Sequence, residues 1–351
     1  MAESRSVRIE SIESFQPDTP DCPPDWRLTL GQIFIRVTLD NGICGIGIGG
    51  GGLAGIGVID ACLRDIVQSI DFDTPAELHA KMCRETMFFG RKGLVVMVLS
   101  GIDLAIWDAY SKSQNLPVGK LLNPEIDLSR PIPMYKTVWT TEAAVEAIGS
   151  GWQAVKLHVE GMGQNPNSAL IREAVETTRL HLGDGPPIMI DAFGRWTVEE
   201  SLEVAHALKD FGIDWLEEPV MPNEKAAYKE LNSSSPIPIA AGEHEYLIDG
   251  FQDAVDQNLF SVFQPDINWC GGLTRLLEIF ELAKAHNIRV VPHRGAEPYA
   301  LHAIAACHNE PLAESERHWF SGRFGFPESK DGHVTLMDKP GFGVDVEWPD
   351  G

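Results

Sequence analysis

Positive charge is what this chain has least of. Its 28 lysines and arginines face 51 aspartates and glutamates, for a net charge of −23 and a pI near 4.8. Nucleic acid and anionic membranes both need a basic surface, so this balance argues against either as a partner. Most of the acidic excess is expected as solvated surface, yet it also suits a site for a cation. No apolar run is long enough to span a bilayer, and the opening "MAESRSVRIESIESF" lacks a secretory apolar core. Six cysteines (Cys22, Cys44, Cys62, Cys83, Cys270 and Cys307) are scattered without C-x-x-C spacing. Reduced thiols in a cytoplasmic protein account for them. What remains is an ordinary globular composition, 44% hydrophobic over 351 residues, enough for a large core.

The chain changes character near residue 125. Before it, "SVRIESIESF" and "GQIFIRVTLDNGICGIGIGG" read as three strands, the last two joined by an Asn41-Gly42 turn. Helical patterns follow in "GVIDACLRDIVQSI", "PAELHAKMCRETMF" and "LVVMVLSGIDLAIWDAYSKS". This predicts an α+β domain over 1–125. Beyond it, short apolar runs alternate with amphipathic stretches. The runs are "PIPMYKTVW", "QAVKLHV", "PIMIDAF", "DWLEEP", "PIAAGEH", "FSVFQPD", "IRVVPHR" and, more weakly, "PLAES". Strands alternating with helices imply βαβ units, and eight of them predict a (β/α)8 barrel over 126–330. The tail 331–351, with "DKPGFGVDVEW", has no barrel role and is expected to return to the first domain. The fold class is thus α/β, a barrel with an N-terminal α+β capping domain completed by the C-terminal tail.

Acids end several of the runs. Asp191, Glu217 and Glu243 do so at equal intervals of 26 residues, about one βα unit. Equal spacing predicts the same height on successive strands, at the C-terminal rim where barrel enzymes keep their chemistry. One such acid is ordinarily a strand end or a helix cap. Three together repel unless a cation holds them, and hard oxygen ligands suit Mg²⁺. Glu217 is expected to face the metal and Glu218 to point away. Asp266 and His293 end runs six and seven as neighbours, so the carboxylate can fix the imidazole tautomer for proton transfer. Lys156 and His158, at i and i+2, share a strand face across the mouth from His293. A satisfied core histidine and a snorkelling lysine are the plainer reading of that pair.

The series "KLH", "IDAF", "WLEEP", "AGEH", "QPDINWCGGLT" and "VVPHRG", after "GIDLAIWDAYSKSQNLPVGKLL", resembles the enolase superfamily, mandelate racemase subgroup. The resemblance covers nearly the whole chain and is greatest to L-rhamnonate dehydratases and related acid-sugar dehydratases. It implies Mg²⁺ on Asp191, Glu217 and Glu243, and a His293–Asp266 dyad. It also implies Glu314 as the electrophilic acid on the substrate carboxylate, and capping loops that select the substrate. There are two departures. The subgroup's racemases often carry Lys-x-Lys where this chain has Lys156-Leu157-His158. The loop "PDTPDCPPDWRLT" holds no histidine, which leaves Trp26 as its candidate substrate contact or as a packed anchor. His244 and Arg294 are further candidates for substrate contact, Arg294 with a surface acid as its alternative partner.

The chemistry that the resemblance implies is loss of the proton α to a carboxylate, with Mg²⁺ and a protonated Glu314 stabilising the enediolate. Departure of the next hydroxyl then gives a 2-keto-3-deoxy acid. Epimerisation or cycloisomerisation through the same enediolate is the competing enzyme reading, with Lys156 or His158 as a second base. A non-catalytic sugar-acid binder would have lost the ligands. A nicotinamide enzyme would use "GIGIGG" through Gly45, Gly47 and Gly50. That fingerprint follows a hairpin here, so Gly49–Gly52 reads better as a flexible loop tip. The expected partner is a small acid sugar, bound by a homo-oligomer.

Overall fold

The computed structural model describes residues 7–18, 31–159, 167–307, 310–315, 326–327 and 329–349. Its first part is a four-stranded antiparallel sheet. Strands β1 (Val7–Phe15), β2 (Ile33–Leu39), β3 (Cys44–Gly49) and β4 (Asp71–Phe72) lie in the order β3-β2-β1-β4. The Asn41-Gly42 turn joins β2 to β3 as expected, with Gly42 at φ 81° and Asn41 Oδ1 accepting from Ile43 N. Strand β4 is a fourth member, and at two residues it is too short to show any alternation.

The helix Leu94–Ser113 covers this sheet. By length and composition it could cross a membrane, so one stretch does reach the span that the sequence seemed to lack. It is instead a core helix, 72% buried in its most apolar window. It lies against β3 at a distance that only glycine allows. A Cβ on Gly45 would stand 2.0 Å from Ala105 O, and one on Gly47 2.1 Å from Gly101 O. Gly49–Gly52 are buried rather than a flexible tip, and "GIGIGG" is a packing surface.

The barrel strands are β5 (Ile132–Val138), β6 (Val155–His158), β7 (Ile188–Asp191), β8 (Ile213–Glu217), β9 (Ile239–Ala241), β10 (Val262–Phe263), β11 (Arg289–Val290) and β12 (Ala313–Glu314). They pair in parallel from β5 to β11, and β12 returns to pair with β5. Between β11 and β12 the seam is held by Ala296 N donating to Glu314 O at 2.9 Å. Tyr135, Ala154, Met189, Trp215, Ala240, Val262 and Val291 form a cluster separate from the main core and fill the lumen. Side-chain caps from Thr140, Asn167 and Thr197 open the first three intervening helices. Thr197 and Glu200 make a reciprocal capping box before Val198–Leu208.

Beyond the barrel, β13 (Ser329–Lys330) and β14 (His333–Val334) form a hairpin. Strand β14 pairs with β5, so the tail's first residues still belong to the barrel. The rest returns to the first domain as expected. Phe342 N donates to Asp108 Oδ1 at 2.9 Å, and Trp348 packs edge-on against Phe15.

Candidate active site

Side chains two apart on a strand share a face, and this builds the floor of the site. Met189 and Trp215 belong to the lumen cluster, so Asp191 and Glu217 point into the mouth above them. His158, Asp191 and Glu217 are register partners across β6, β7 and β8. Glu243 does not continue this level. Glu217 pairs with Ala240, and β9 ends at Ala241, so Glu243 stands three residues past the partner of Glu217. Equal spacing in sequence did not mean equal height, because the loops and helices between the strands differ in length.

Lys156 holds the floor together. Its Nζ lies 2.5 Å from Glu217 Oε1, 2.9 Å from Glu314 Oε1 and 3.7 Å from Asp191 Oδ2, and the side chain is 1% exposed. Trp215 Nε1 and Gln264 Nε2 donate to the other oxygen of Glu217. Burial alone would discharge the lysine, but Glu217 and Glu314 hold its pKa well above the ordinary range. It is therefore buried and ion-paired rather than snorkelling to solvent. Burial pushes Asp191 up to about 7 against the pull of Lys156, with Glu243 and Glu218 adding repulsion. Burial does the same to Glu217, also to about 7, helped by Asp191 and Glu314.

Glu314 joins the same floor. Burial would raise it, but Lys156 and His293 outweigh that and hold it down to about 2. Thr137 Oγ1 and Arg294 N also donate to it, at 2.5 Å and 2.8 Å. It stands as an ion-pair partner of Lys156 at the floor of the site.

A second group lies higher on the rim. Glu218 has a left-handed backbone, φ 37°, which turns its side chain away from that of Glu217. It meets His244, whose Nδ1 is 2.8 Å from Glu218 Oε2 and 3.6 Å from Glu243 Oε1. Burial lowers His244, but the bond to Glu218 and the charge of Glu243 raise it to about 9. Glu218, Glu243 and His244 are the group among the described residues whose donor atoms gather within 4.8 Å of one another. Asp191 and Glu217 are outside it. Lys156 pairs with Glu217 and approaches Asp191, while the imidazoles of His244 and His293 face Glu243.

His293 and Asp266 meet. They form a parallel β-bridge, and His293 Nδ1 lies 2.9 Å from Asp266 Oδ2. The other nitrogen, Nε2, faces Glu243 Oε2 at 3.2 Å and Glu314 Oε2 at 3.9 Å. Arg294 was expected to meet a substrate anion or a surface acid. Its Nη2 instead pairs with buried Asp266. Burial would raise Asp266, but Arg294 and the hydrogen bond to His293 hold it well below the usual range. Burial lowers His293, and the charge of Glu243 more than restores it.

The balance of charge here favours a cation. Asp191, Glu217, Glu218, Glu243, Asp266 and Glu314 are all buried. Only Lys156 and Arg294 are permanent cations among them. Six buried carboxylates thus face two permanent cations, an excess of negative charge of the kind a divalent ion offsets. Oxygen capacity remains too. A carboxylate offers about four lone-pair sites, and Glu217 uses three. Asp191 Oδ2 has Lys156 Nζ and His158 Nε2 no nearer than 3.7 Å. The donors fit a hard divalent cation.

Several residues here had no separate signal in the sequence. Gln264 lies two before Asp266, so its place on a shared face was readable. Thr137, Trp139 and Phe193 were not, since aromatic and hydroxyl side chains at strand ends are common. Trp26 lies outside the described residues.

Comparison with known proteins followed the same lines. Residues 28–123 match the mandelate racemase / muconate lactonizing enzyme N-terminal domain, and residues 139–350 match the enolase C-terminal domain-like family. An L-rhamnonate dehydratase of Saccharopolyspora erythraea is 30% identical over 327 residues, 90% of this chain and 83% of that protein. The crystal structure of the 3,6-anhydro-D-galactonate cycloisomerase from Zobellia galactanivorans is similar with a TM-score of 0.83 and 30% identity, covering 97% of both chains. That of rhamnonate dehydratase from Gibberella zeae, complexed with Mg, gives 0.79 and 29%, over 91% of this chain and 80% of that one.

Proposed function

The chain belongs to the mandelate racemase / muconate lactonizing enzyme family, and on that premise we propose that it is a magnesium-dependent sugar-acid dehydratase. It removes the proton α to a carboxylate, expels the hydroxyl on the next carbon as water, and leaves a 2-keto-3-deoxy acid. The observation that carries this is His293. Asp266 holds one ring nitrogen at 2.9 Å, and the other faces the buried carboxylates at the barrel mouth. The curated relative that acts as an L-rhamnonate dehydratase supports elimination as the outcome.

Asp191, Glu217 and Glu243 would hold the magnesium. Bound there, it supplies positive charge against the enediolate and against the carboxylates' own repulsion. The protein's residues do the rest. Asp266 keeps the Nδ1 proton in place, so Nε2 takes the α-proton and returns it to the departing hydroxyl. Arg294 keeps Asp266 ionised while this happens. Lys156, fixed by Glu217 and Glu314, contributes a permanent positive charge beneath the substrate carboxylate.

Cycloisomerisation through the same enediolate is the second reading. It is supported by the cycloisomerase that matches this chain along 97% of its length, and by His158 beside Asp191. Incubating a panel of sugar acids with the protein and Mg²⁺ separates the two. A dehydratase yields a keto acid one water lighter, detected as its semicarbazone and by mass. An isomer of unchanged mass would replace the dehydratase reading with the second. No change in any sugar acid would overturn both.

A further inference from the structure

Glu217 has little freedom at the floor of the site. Its Oε1 lies 2.5 Å from Lys156 Nζ. Its Oε2 accepts from Trp215 Nε1 at 2.9 Å and from Gln264 Nε2 at 2.6 Å. Each carboxylate oxygen has about two lone-pair sites, so Oε2 is full. The capacity that Glu217 keeps for an ion is on Oε1 alone.

The two donors to Oε2 reach it by different routes. Trp215 stands two residues earlier on the same strand, in the lumen cluster. Gln264 comes from the end of β10, with β9 in between. Glu217 and Val262 both pair with Ala240 of that strand. The ladder runs on past β10, with Gln264 N donating to Ala241 O at 3.0 Å, so Gln264 shares the lumen face of Val262. At this level β9 puts only the methyl group of Ala240 in the way, and the amide reaches across. The other half of the amide is not satisfied. Gln264 is 1% exposed, and its Oε1 has no hydrogen-bond partner among the described residues. A buried acceptor left unpaired costs stability, and an apolar side chain of the same length would avoid that cost. Packing therefore does not account for a glutamine here. What its nitrogen does to Glu217 does.

We infer that Gln264 is a positioning residue that closes Glu217 Oε2 and thereby selects Mg²⁺ over Ca²⁺. The inference rests on the magnesium reading above, with Glu217 as a ligand. Ca²⁺ gathers about six to eight oxygens and takes carboxylates through one oxygen or both. Mg²⁺ needs fewer oxygens in a stricter arrangement. A Glu217 that can offer only Oε1 serves the smaller ion and withholds the second oxygen from the larger one. Without the amide, Oε2 regains a lone pair and the carboxylate is free to turn.

The test titrates metal-free, full-length protein with Mg²⁺ and with Ca²⁺ by calorimetry. The wild type should bind Mg²⁺ more tightly. Gln264→Met keeps the length of the side chain and removes the donor. It should weaken Mg²⁺ binding by about 10–100-fold, the usual loss when a metal ligand loses its hydrogen-bond partner. Ca²⁺ affinity should hold or rise, so the preference narrows by the same factor. Trp215→Phe opens Oε2 from the other side, keeps an aromatic ring in the lumen, and should narrow the preference in the same direction. A purely structural role would weaken both ions together and leave their ratio unchanged. That result in both variants, or a wild type that binds the two ions alike, would overturn the selection. Glu217→Gln checks the premise. If it binds Mg²⁺ as the wild type does, the ligand assignment fails and the inference with it. If it loses Mg²⁺ while the other two variants keep the wild-type ratio, the inference fails alone.

Discussion

The ammonium nitrogen of Lys156 stands 2.5 Å from Glu217 Oε1, and neither side chain is more than 2% exposed. A buried pair of this kind adds little net stability, but breaking it leaves an uncompensated charge. Lys156→Met keeps the length of the chain and removes that charge. Metal-free protein is expected to lose about 3–5 kcal/mol in urea unfolding. Mg²⁺ should recover part of the deficit by compensating Glu217 in its place. An unchanged unfolding midpoint would show that Lys156 is not what neutralises the floor.

The proposed ligand set makes a second prediction about which carboxylates bind the ion. Asp191→Asn and Glu217→Gln should each weaken Mg²⁺ binding by about 100-fold or more, measured by calorimetry. That exceeds what losing a ligand's own hydrogen-bond partner usually costs, about 10–100-fold. Glu218→Gln should cost less than about tenfold. The reverse ranking would move the site to Glu218, Glu243 and His244.

Asp266→Asn replaces an ionised acceptor with an amide. Turnover is expected to fall about 100-fold or more, since the Nδ1 proton is no longer held in place. His293→Asn should abolish both keto-acid formation and exchange of the substrate α-proton in heavy water. If exchange survives while elimination stops, His293 is only the acid. Full activity in His293→Asn would remove it from the reaction.

His302 sets part of the acid limit of stability. It is buried, and its Nδ1 accepts from Gly119 N at 2.8 Å. Burial lowers its pKa from 6.5 to about 4. A folded pKa below the unfolded one means that the unfolded chain binds the proton first. The stability from a neutral His302 is therefore complete above pH 6.5 and is lost as pH falls from there to 4. The loss amounts to about 3 kcal/mol. His302→Asn keeps an acceptor for Gly119 N but does not titrate, so unfolding free energy should fall less steeply with acid across that window. Identical slopes would exclude the residue.

The glycines of β3 give a contrast in stability. Gly47→Ala drives a methyl group into the backbone of Gly101. It should cost about 3 kcal/mol or more, because two packed backbones must part. Gly57→Ala meets nothing within 4 Å. It lies in a helix and should stabilise by about 0.5–1 kcal/mol. Comparable thermal midpoints for the two variants would mean that the close packing of β3 is not needed.

The sequence by itself determined the architecture. Alternating apolar runs and amphipathic stretches are local properties, and each reports its own burial. Eight such runs after a hairpin left few folds to choose from. The acids at the ends of "MIDAF" and "WLEEP" were legible for the same reason, since a strand fixes which face each side chain takes. So was the nearness of Asp266 to His293, which consecutive parallel strands require.

Only the tertiary structure decided the rest. Glu243 shares the 26-residue spacing, yet it stands past the end of β9, beyond Gly242 at φ 130°. Residue counts measure chain length, not height along a barrel. Glu217 and Glu218 are adjacent in sequence but join different groups, because one backbone angle turns the second aside. Lys156 neutralises Glu314, and Arg294 turns inward to Asp266, since charges choose partners through space. The glycines of "GIGIGG" could have cradled a phosphate or met a helix, and what lies against them was settled by a helix some fifty residues further on. The left-handed backbone of Phe193, φ 53°, has a local part, its N–H donating to Asp191 Oδ1 two residues earlier, and a tertiary part, the bond from Gly194 N to Glu218 O on the next strand. The sequence offers the first, and only the pairing of the strands supplies the second.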